Sequence, residues 1–390
     1  MTPPLHLKPG KERRILRGHR WIFSNEIADP FSDLRPGSWV KVFTAKGLYL
    51  GSGYINPGSL IAVRLMCLPG QEPGKDFFLS LLRNADNRRS KTLYPGSECY
   101  RAVFGESDGL PGLVVDRYGD VVVYQITTRG MTEMEQLFQE LLIELYKPRA
   151  LVFRNDTQVR ELEGLTTQKG VAYGSIPDQH WVSVEGIEMR VDPLIGQKTG
   201  LYLDQRDNRK ALALWAKNKK VLDLFSYNGA WSLTAAKAGA EEVVGVDRSA
   251  TAITQAKENS VRNRTERTTH FVEQDVLQFL KTVPQGAFDI IILDPPAFAK
   301  TKKSLPEARK GYIDINRRAL LALKQGGLLV SSSCSYHLNE EVFRDVILQA
   351  AQASGRQLRL LEARGQAKDH PVLLAMPETS YLKCLFLEVI

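Results

Sequence analysis

Val221-Leu-Asp-Leu-Phe-Ser-Tyr-Asn-Gly229, a helical run to Ala240, and then Val243-Val-Gly-Val-Asp247 form the stretch that decides the fold. Val221–Phe225 is short, apolar and followed by a turn, which reads as a buried strand. Gly229–Ala240 has the spacing of a helix, and Val243–Asp247 is a second buried strand that ends on an acid. Downstream the pattern repeats. Ser249 is a good N-cap for the next helix. His270–Asp275 reads as a third strand, Phe288–Asp294 as a fourth and Leu328–Ser331 as a fifth. Asn339-Glu340-Glu341 opens another helix, with its acids at the positive end. Tyr381–Val389 closes the succession as a further strand. Alternating strands and helices of this kind give an α/β, doubly wound, Rossmann-like domain whose ligand lies beyond the C-terminal strand ends.

Upstream the pattern differs. Trp39–Phe43, Leu48–Leu50 and Leu60–Leu65 are short apolar or alternating runs between Gly- and Pro-containing turns, so residues 1–70 form a small β-rich domain. Leu68–Gly74 reads as a linker, and Lys75–Leu93 as a helix with Phe77, Phe78, Leu81 and Leu82 at helical spacing. Leu113–Ile126 is a hairpin around Tyr118-Gly-Asp120, followed by a helix near Thr132–Tyr146 and a strand at Ala150–Phe153. Residues 75–190 are therefore a small α+β domain, and 191–390 the α/β domain.

A chain of 390 residues suits two or three domains. Its start, Met1–Lys8, lacks the apolar core of a secretory signal, and no run is long and apolar enough for a membrane helix. Cys67, Cys99, Cys334 and Cys384 have no Cys-x-x-Cys spacing, which argues against a zinc site or disulfide framework and fits the cytoplasm. The net charge is +8, and residues 1–70 hold ten Lys/Arg against four Asp/Glu. A basic lobe on a near-neutral body suits a polyanion such as RNA. Arg13, Arg14, Arg17 and Arg20 are its densest cluster.

Several strands of the α/β domain end on acids. Asp223 and the turn Phe225, Ser226, Asn228 and Gly229 follow the first, Asp247 with Arg248 the second, and Asp275 with Val276 the third. The dinucleotide fingerprint Gly-x-Gly-x-x-Gly is absent, which argues against a dehydrogenase. Asp247 can accept the two ribose hydroxyls of an adenosine, and Asp275 its adenine amino group, with Val276 beside the ring. Asp294-Pro-Pro-Ala-Phe298 sets a carboxylate beside a rigid turn, where Pro295 and Pro296 remove backbone donors and Phe298 can stack on a planar base.

Taken in order, these motifs resemble a class I S-adenosylmethionine methyltransferase. More narrowly, the chain resembles the bacterial large-subunit ribosomal RNA cytosine-5 methyltransferase I family over essentially its whole length. The residues carrying the resemblance are Leu16–Ser24, Gly105–Gly112, Lys198–Arg206, Phe225–Gly229, Asp294–Pro296, Ser333–Ser335 and Asp369–Val372. The resemblance implies an N-terminal PUA domain that binds RNA, a central domain and a catalytic domain using S-adenosylmethionine. It also implies 23S ribosomal RNA as partner, and places Tyr202 and Arg206 near the cofactor and the target base. A homodimer is left open.

Cytosine C5 is too weak a nucleophile to take a methyl group from a sulfonium directly. A thiolate adding to C6 makes C5 enamine-like. Cys334, after the apolar strand Leu328–Ser331, is the best-placed thiol, whereas Cys67 and Cys384 lie within apolar β runs as core residues and Cys99 has no supporting motif. Many related RNA enzymes carry a second cysteine directly after Pro-Pro; here that position is Ala297. The proton acceptor at C5 is Asp294 or a water. His370 reads as structural. The competing readings are methylation of an exocyclic amine (guanine N2 or adenine N6) through Asp294-Pro-Pro, and a non-catalytic RNA-binding assembly factor. In either methylation reading the target base must be single-stranded or flipped out.

Overall fold

A computed structural model of the chain describes residues 2–298 and 302–390; Met1 lies outside them. It divides into two compact units. The first comprises residues 1–182, 191–203 and 368–379, and the second 183–190, 204–367 and 380–390. No helix among the described residues is long and apolar enough to cross a membrane.

The first unit holds two five-stranded sheets. One contains Trp39–Phe43, where Val40 and Val42 point inward and Lys41 outward, the alternation of a strand with one face in a core. Beside it run Tyr49–Ile55 and Val63–Cys67. Leu5, Ile22, Val40, Val42 and Ile55 fill one face of this sheet. Tyr54, Met66 and Cys67 join a different core, that of the second sheet and the helix Lys75–Asn87. The sections 1–70 and 75–190, read apart in the sequence, therefore share packing through opposite faces of one set of strands. Polar bonds reinforce the seam. Glu163 accepts Ser59 Oγ at 2.8 Å, Asn56 Nδ2 at 2.8 Å and the Arg64 guanidinium at 2.9 Å, all buried. Tyr54 donates its hydroxyl proton to the Pro111 carbonyl at 2.9 Å.

In the second unit the strands are β1 (Lys220–Leu224), β2 (Glu242–Asp247), β3 (Thr269–Glu273), β4 (Phe288–Leu293), β5 (Leu323–Ser333), β6 (Leu358–Arg364) and β7 (Lys383–Val389). They order as β3-β2-β1-β4-β5-β7-β6, with β7 antiparallel to both neighbours. The order reverses beside β1, which opens a crevice at the strand ends there. The helices are α1 (Arg206–Leu212), α2 (Ala230–Lys237), α3 (Ala250–Arg262), α4 (Val276–Thr282), α5 (Leu305–Ala322) and α6 (Glu340–Ser354). Both faces of the sheet are buried. Leu222, Leu224, Ile291, Leu293 and Leu329 meet α4, α5 and α6. Their alternates Val221, Ile290, Ile292, Leu328 and Val330 meet α1 and α2. Two covered faces explain why these strands read as unbroken apolar runs. The third strand is shorter than expected: it ends at Glu273, because Asp275 caps α4 by accepting Gln278 N–H at 3.1 Å.

Candidate active site

The site is built where β1, β2, β4 and β5 end. Asp223, fully buried near the end of β1, accepts the backbone N–H of Ser232 at 3.0 Å and its hydroxyl at 2.6 Å. The turn after β1 bends sharply, with Phe225 at φ +66° and Tyr227 at +48°, a region costly for residues with a Cβ. That bend delivers Tyr227 N–H to Asp247 Oδ2 at 3.0 Å, while Ser249 N–H reaches the other oxygen at 2.9 Å. Asp247 thus ties two strand-end loops together. Gly229 and Gly245 make room for the buried Phe271 ring, which a Cβ on either would approach to within 3 Å.

Asp223 Oδ1, Ser226 Oγ and Asn228 Nδ2 are buried in this turn with no hydrogen-bond partner. Buried polar atoms are nearly always satisfied, so three orphans in one turn leave polar groups there open to a partner. Arg248 is exposed beside Asp247, Asp275 is exposed at its helix cap, and Val276 is buried in the core.

Asp294 follows β4. Gln205 Nε2 donates to its Oδ1 at 3.0 Å and Trp231 Nε1 to its Oδ2 at 3.0 Å. Asn208 Nδ2 holds the Gln205 carbonyl at 2.7 Å, which fixes the amide. Pro295 is buried and Pro296 exposed, and the half-buried Phe298 packs against Tyr312 with ring centroids 4.6 Å apart. Burial pushes Asp223 up to about 7; its bonds from Ser232 oppose this, and the charges of Asp294 and Asp247 add to it. Carboxylates gathered this way favour a cationic ligand.

Cys334 lies in the turn after β5, next strand to β4, and is half-buried. The serines on either side are anchored: Tyr312 of α5 shares its hydroxyl with Ser333 at 3.0 Å and Ser335 at 3.3 Å. From β7, Lys383 Nζ donates to the Ser335 carbonyl at 2.7 Å. The other three cysteines are buried inside strands.

Residues 5–67 match a PUA-like domain, and 171–373 match the S-adenosylmethionine-dependent methyltransferase family. Over 99% of its length and 99% of theirs, the chain is 39% identical to ribosomal RNA large subunit methyltransferase I of Aeromonas hydrophila. The protein of the same name from Shewanella frigidimarina is 38% identical over the full length of both. The chain belongs to this methyltransferase I family. Among solved structures, one from Streptococcus mutans, assigned as an S-adenosylmethionine-dependent methyltransferase, superposes with a TM-score of 0.83 at 22% identity over the whole of both chains, which speaks for the fold.

The cofactor of the methyltransferase is S-adenosylmethionine, and the carboxylates and orphaned polar atoms after β1 and β2 suit its positive charge and its polar groups. Six of the seven signature segments separate into two groups. Phe225–Gly229, Asp294–Pro296 and Ser333–Ser335 gather in the second unit. In the first, Trp21 Nε1 donates to Glu106 at 2.9 Å, Arg89 pairs with Asp108 at 2.7 Å and donates to the Asp369 carbonyl at 2.8 Å. Leu16–Ser24, Gly105–Gly112 and Asp369–Val372 therefore interlock there, and His370 is buried with its Nδ1 2.7 Å from the Asp369 carboxylate.

Lys198–Arg206 is shared between the two units. In the first, Lys198 Nζ stands 4.3 Å over the Tyr202 ring. In the second, Arg206 is fully buried and paired with Glu185 at the wall of a cleft of about 250 Å³. Arg206 is thus a buried side chain of the second unit rather than an exposed one. Of the basic cluster, Arg13 and Arg17 are exposed, whereas Arg14 is bound to Glu26 at 2.9 Å. Arg20 is half-buried, and burial lowers its basicity. Sequence reading missed Gln205 and Trp231 as the groups holding Asp294. Gln205 sits inside a quoted motif, but Trp231 has only its place at the start of α2 as a signal.

Proposed function

We propose that the chain methylates C5 of a cytosine in large-subunit (23S) ribosomal RNA, with Cys334 as the nucleophile. The observation carrying this is a partly accessible thiol at the end of β5, beside β4 and its Asp294-Pro-Pro turn. Methylation of RNA within the ribosomal large subunit is the activity named in the relatives, and the PUA-like section supplies a basic surface at Arg13 and Arg17. S-adenosylmethionine supplies an electrophilic methyl group on a sulfonium. Asp247 would receive the ribose hydroxyls, and Asp223, Ser226 and Asn228 would hold the polar remainder, with Phe225, Gly229, Arg248, Asp275 and Val276 around it.

The Cys334 thiolate forms a bond to C6 of the ring, and the C5=C6 electrons move so that C5 becomes nucleophilic. C5 takes the methyl group, which releases S-adenosylhomocysteine, and then loses its proton to Asp294 or to a water. The C6–S bond breaks as the ring double bond returns, which regenerates the thiolate. Pro295, Pro296 and Phe298 bound the space for the ring.

Cys334→Ala is expected to lose transfer to ribosomal RNA by several orders of magnitude while S-adenosylhomocysteine still binds. RNA containing 5-fluorocytosine is expected to trap a covalent complex with the parent enzyme only. Nucleoside mass spectrometry identifies the product. An alanine variant that still yields 5-methylcytosine at the parent rate, or an N-methylated purine as the product, overturns the proposal.

A further inference from the structure

Lys383 is a buried lysine in an otherwise apolar strand. Successive residues of β7 face opposite sides of the sheet. Cys384 and Phe386 point into the core under α1 and α2. Lys383 lies on the other side with Leu385 and Leu387, toward α5 and α6. Its backbone pairs with Ser333 across the β5–β7 ladder, and its ammonium reaches the carbonyls of Ser335 at 2.7 Å and Tyr381 at 2.8 Å. The residues immediately before and after Cys334 are thus both attached to this one lysine.

Two neutral carbonyls do not compensate a buried ammonium fully. Burial lowers Lys383 to about 8, and the charges that work against this are those of Cys334 and Glu340. Among the described residues, the titratable groups around the turn are Tyr336 and His337 within it, Tyr312 from α5, Glu340 from the first turn of α6 and Lys383 from β7. Tyr312 is neutral at ordinary pH, since burial raises it. Lys383 is the buried cation among them. Cys384 offers an internal contrast: one residue away but on the apolar face, its thiol is pushed up to about 12 by burial.

We propose that Lys383 is the positioning residue for Cys334: it fixes the turn that carries the thiol and sets a positive charge against the thiolate. This rests on the reading of Cys334 as the nucleophile. A thiolate next to an ammonium is stabilised relative to the thiol, so more of it is present near neutral pH.

The test is the pH profile of Cys334 alkylation by iodoacetamide in the full RNA-free chain, followed by peptide mass spectrometry. Cys67, Cys99 and Cys384 serve as buried controls in the same digest. Lys383→Met is expected to move the Cys334 profile to higher pH, which at pH 7 slows alkylation about tenfold for each unit of displacement. Lys383→Arg is expected to restore most of the parent profile. Should the methionine variant not fold, Lys383→Gln, which keeps a donor without the charge, is expected to give the same displacement. A folded neutral variant with the parent profile overturns the proposal, as does an equal slowing at every pH, which marks a change of access alone. Alkylation needs no methyl transfer, so this outcome is separable from the fate of the nucleophile reading, which Cys334→Ala decides.

Discussion

Asp223 carries the most informative single titration in the catalytic unit. Burial holds it near 7, against about 3.9 for an ordinary aspartate. The folded protein therefore binds this proton more tightly than the unfolded chain does. Stability from the group is complete below about pH 4 and is lost as the pH rises through 7. In its proposed cofactor role the ionised form is the one that attracts a cation. Affinity for S-adenosylmethionine is expected to rise about tenfold between pH 6 and pH 8, and Asp223→Asn to flatten that dependence. Calorimetric titration at the two pH values measures it, and a parent enzyme with equal affinity at both would refute it. Asp247 was legible because it closes an apolar run on a carboxylate, and Asp223 because it interrupts one. Lys383 was not, because a lone lysine in Tyr381–Val389 looks like the outward residue of a strand, and only the β5–β7 register shows what it faces.

At the level of elements, strands covered on both sides announced themselves as apolar blocks. Ser249 and Asn339 also cap their helices as read, accepting Ala252 N–H at 3.3 Å and Val342 N–H at 2.8 Å. The strand β6, Leu-Arg-Leu-Leu-Glu-Ala-Arg, was passed over: it is an edge strand, largely unburied, with charges breaking its pattern. The hairpin His180–Val184 and Ile187–Val191 was likewise missed, since two short strands leave little periodicity to read. Gly245 in β2 shows how tightly the strand ends are packed. An added Cβ would stand 2.6 Å from the Phe271 ring and 3.0 Å from Ser232 Oγ, the hydroxyl that holds Asp223. Gly245→Ala is expected to cost about 1–3 kcal/mol in thermal unfolding and to weaken cofactor binding with it. A variant as stable as its parent would show that Phe271 moves aside freely.

Across the whole molecule, the seven signatures looked like one list in sequence, yet three fall in each unit and Lys198–Arg206 is divided between them. One cluster lies at the strand ends of the second unit, and the other locks the first unit together. Glu163 makes that second role measurable. Glu163→Ala leaves Arg64 buried without its partner, so a loss of about 3–5 kcal/mol in chemical denaturation is expected, and a loss below about 1 kcal/mol would mean that Arg64 finds water. Chain order and sheet order also disagree in one place, and this has a consequence for the growing polypeptide. β7 is synthesised after β6 yet lies between β5 and β6. Until β7 has left the ribosome, β6 has no strand to pair with and the free edge of β5 stays open to other chains. Cys334 emerges well before Lys383, so the nascent enzyme carries its thiol for a time without the neighbouring cation, and the site matures only when the last strand threads into the gap held for it.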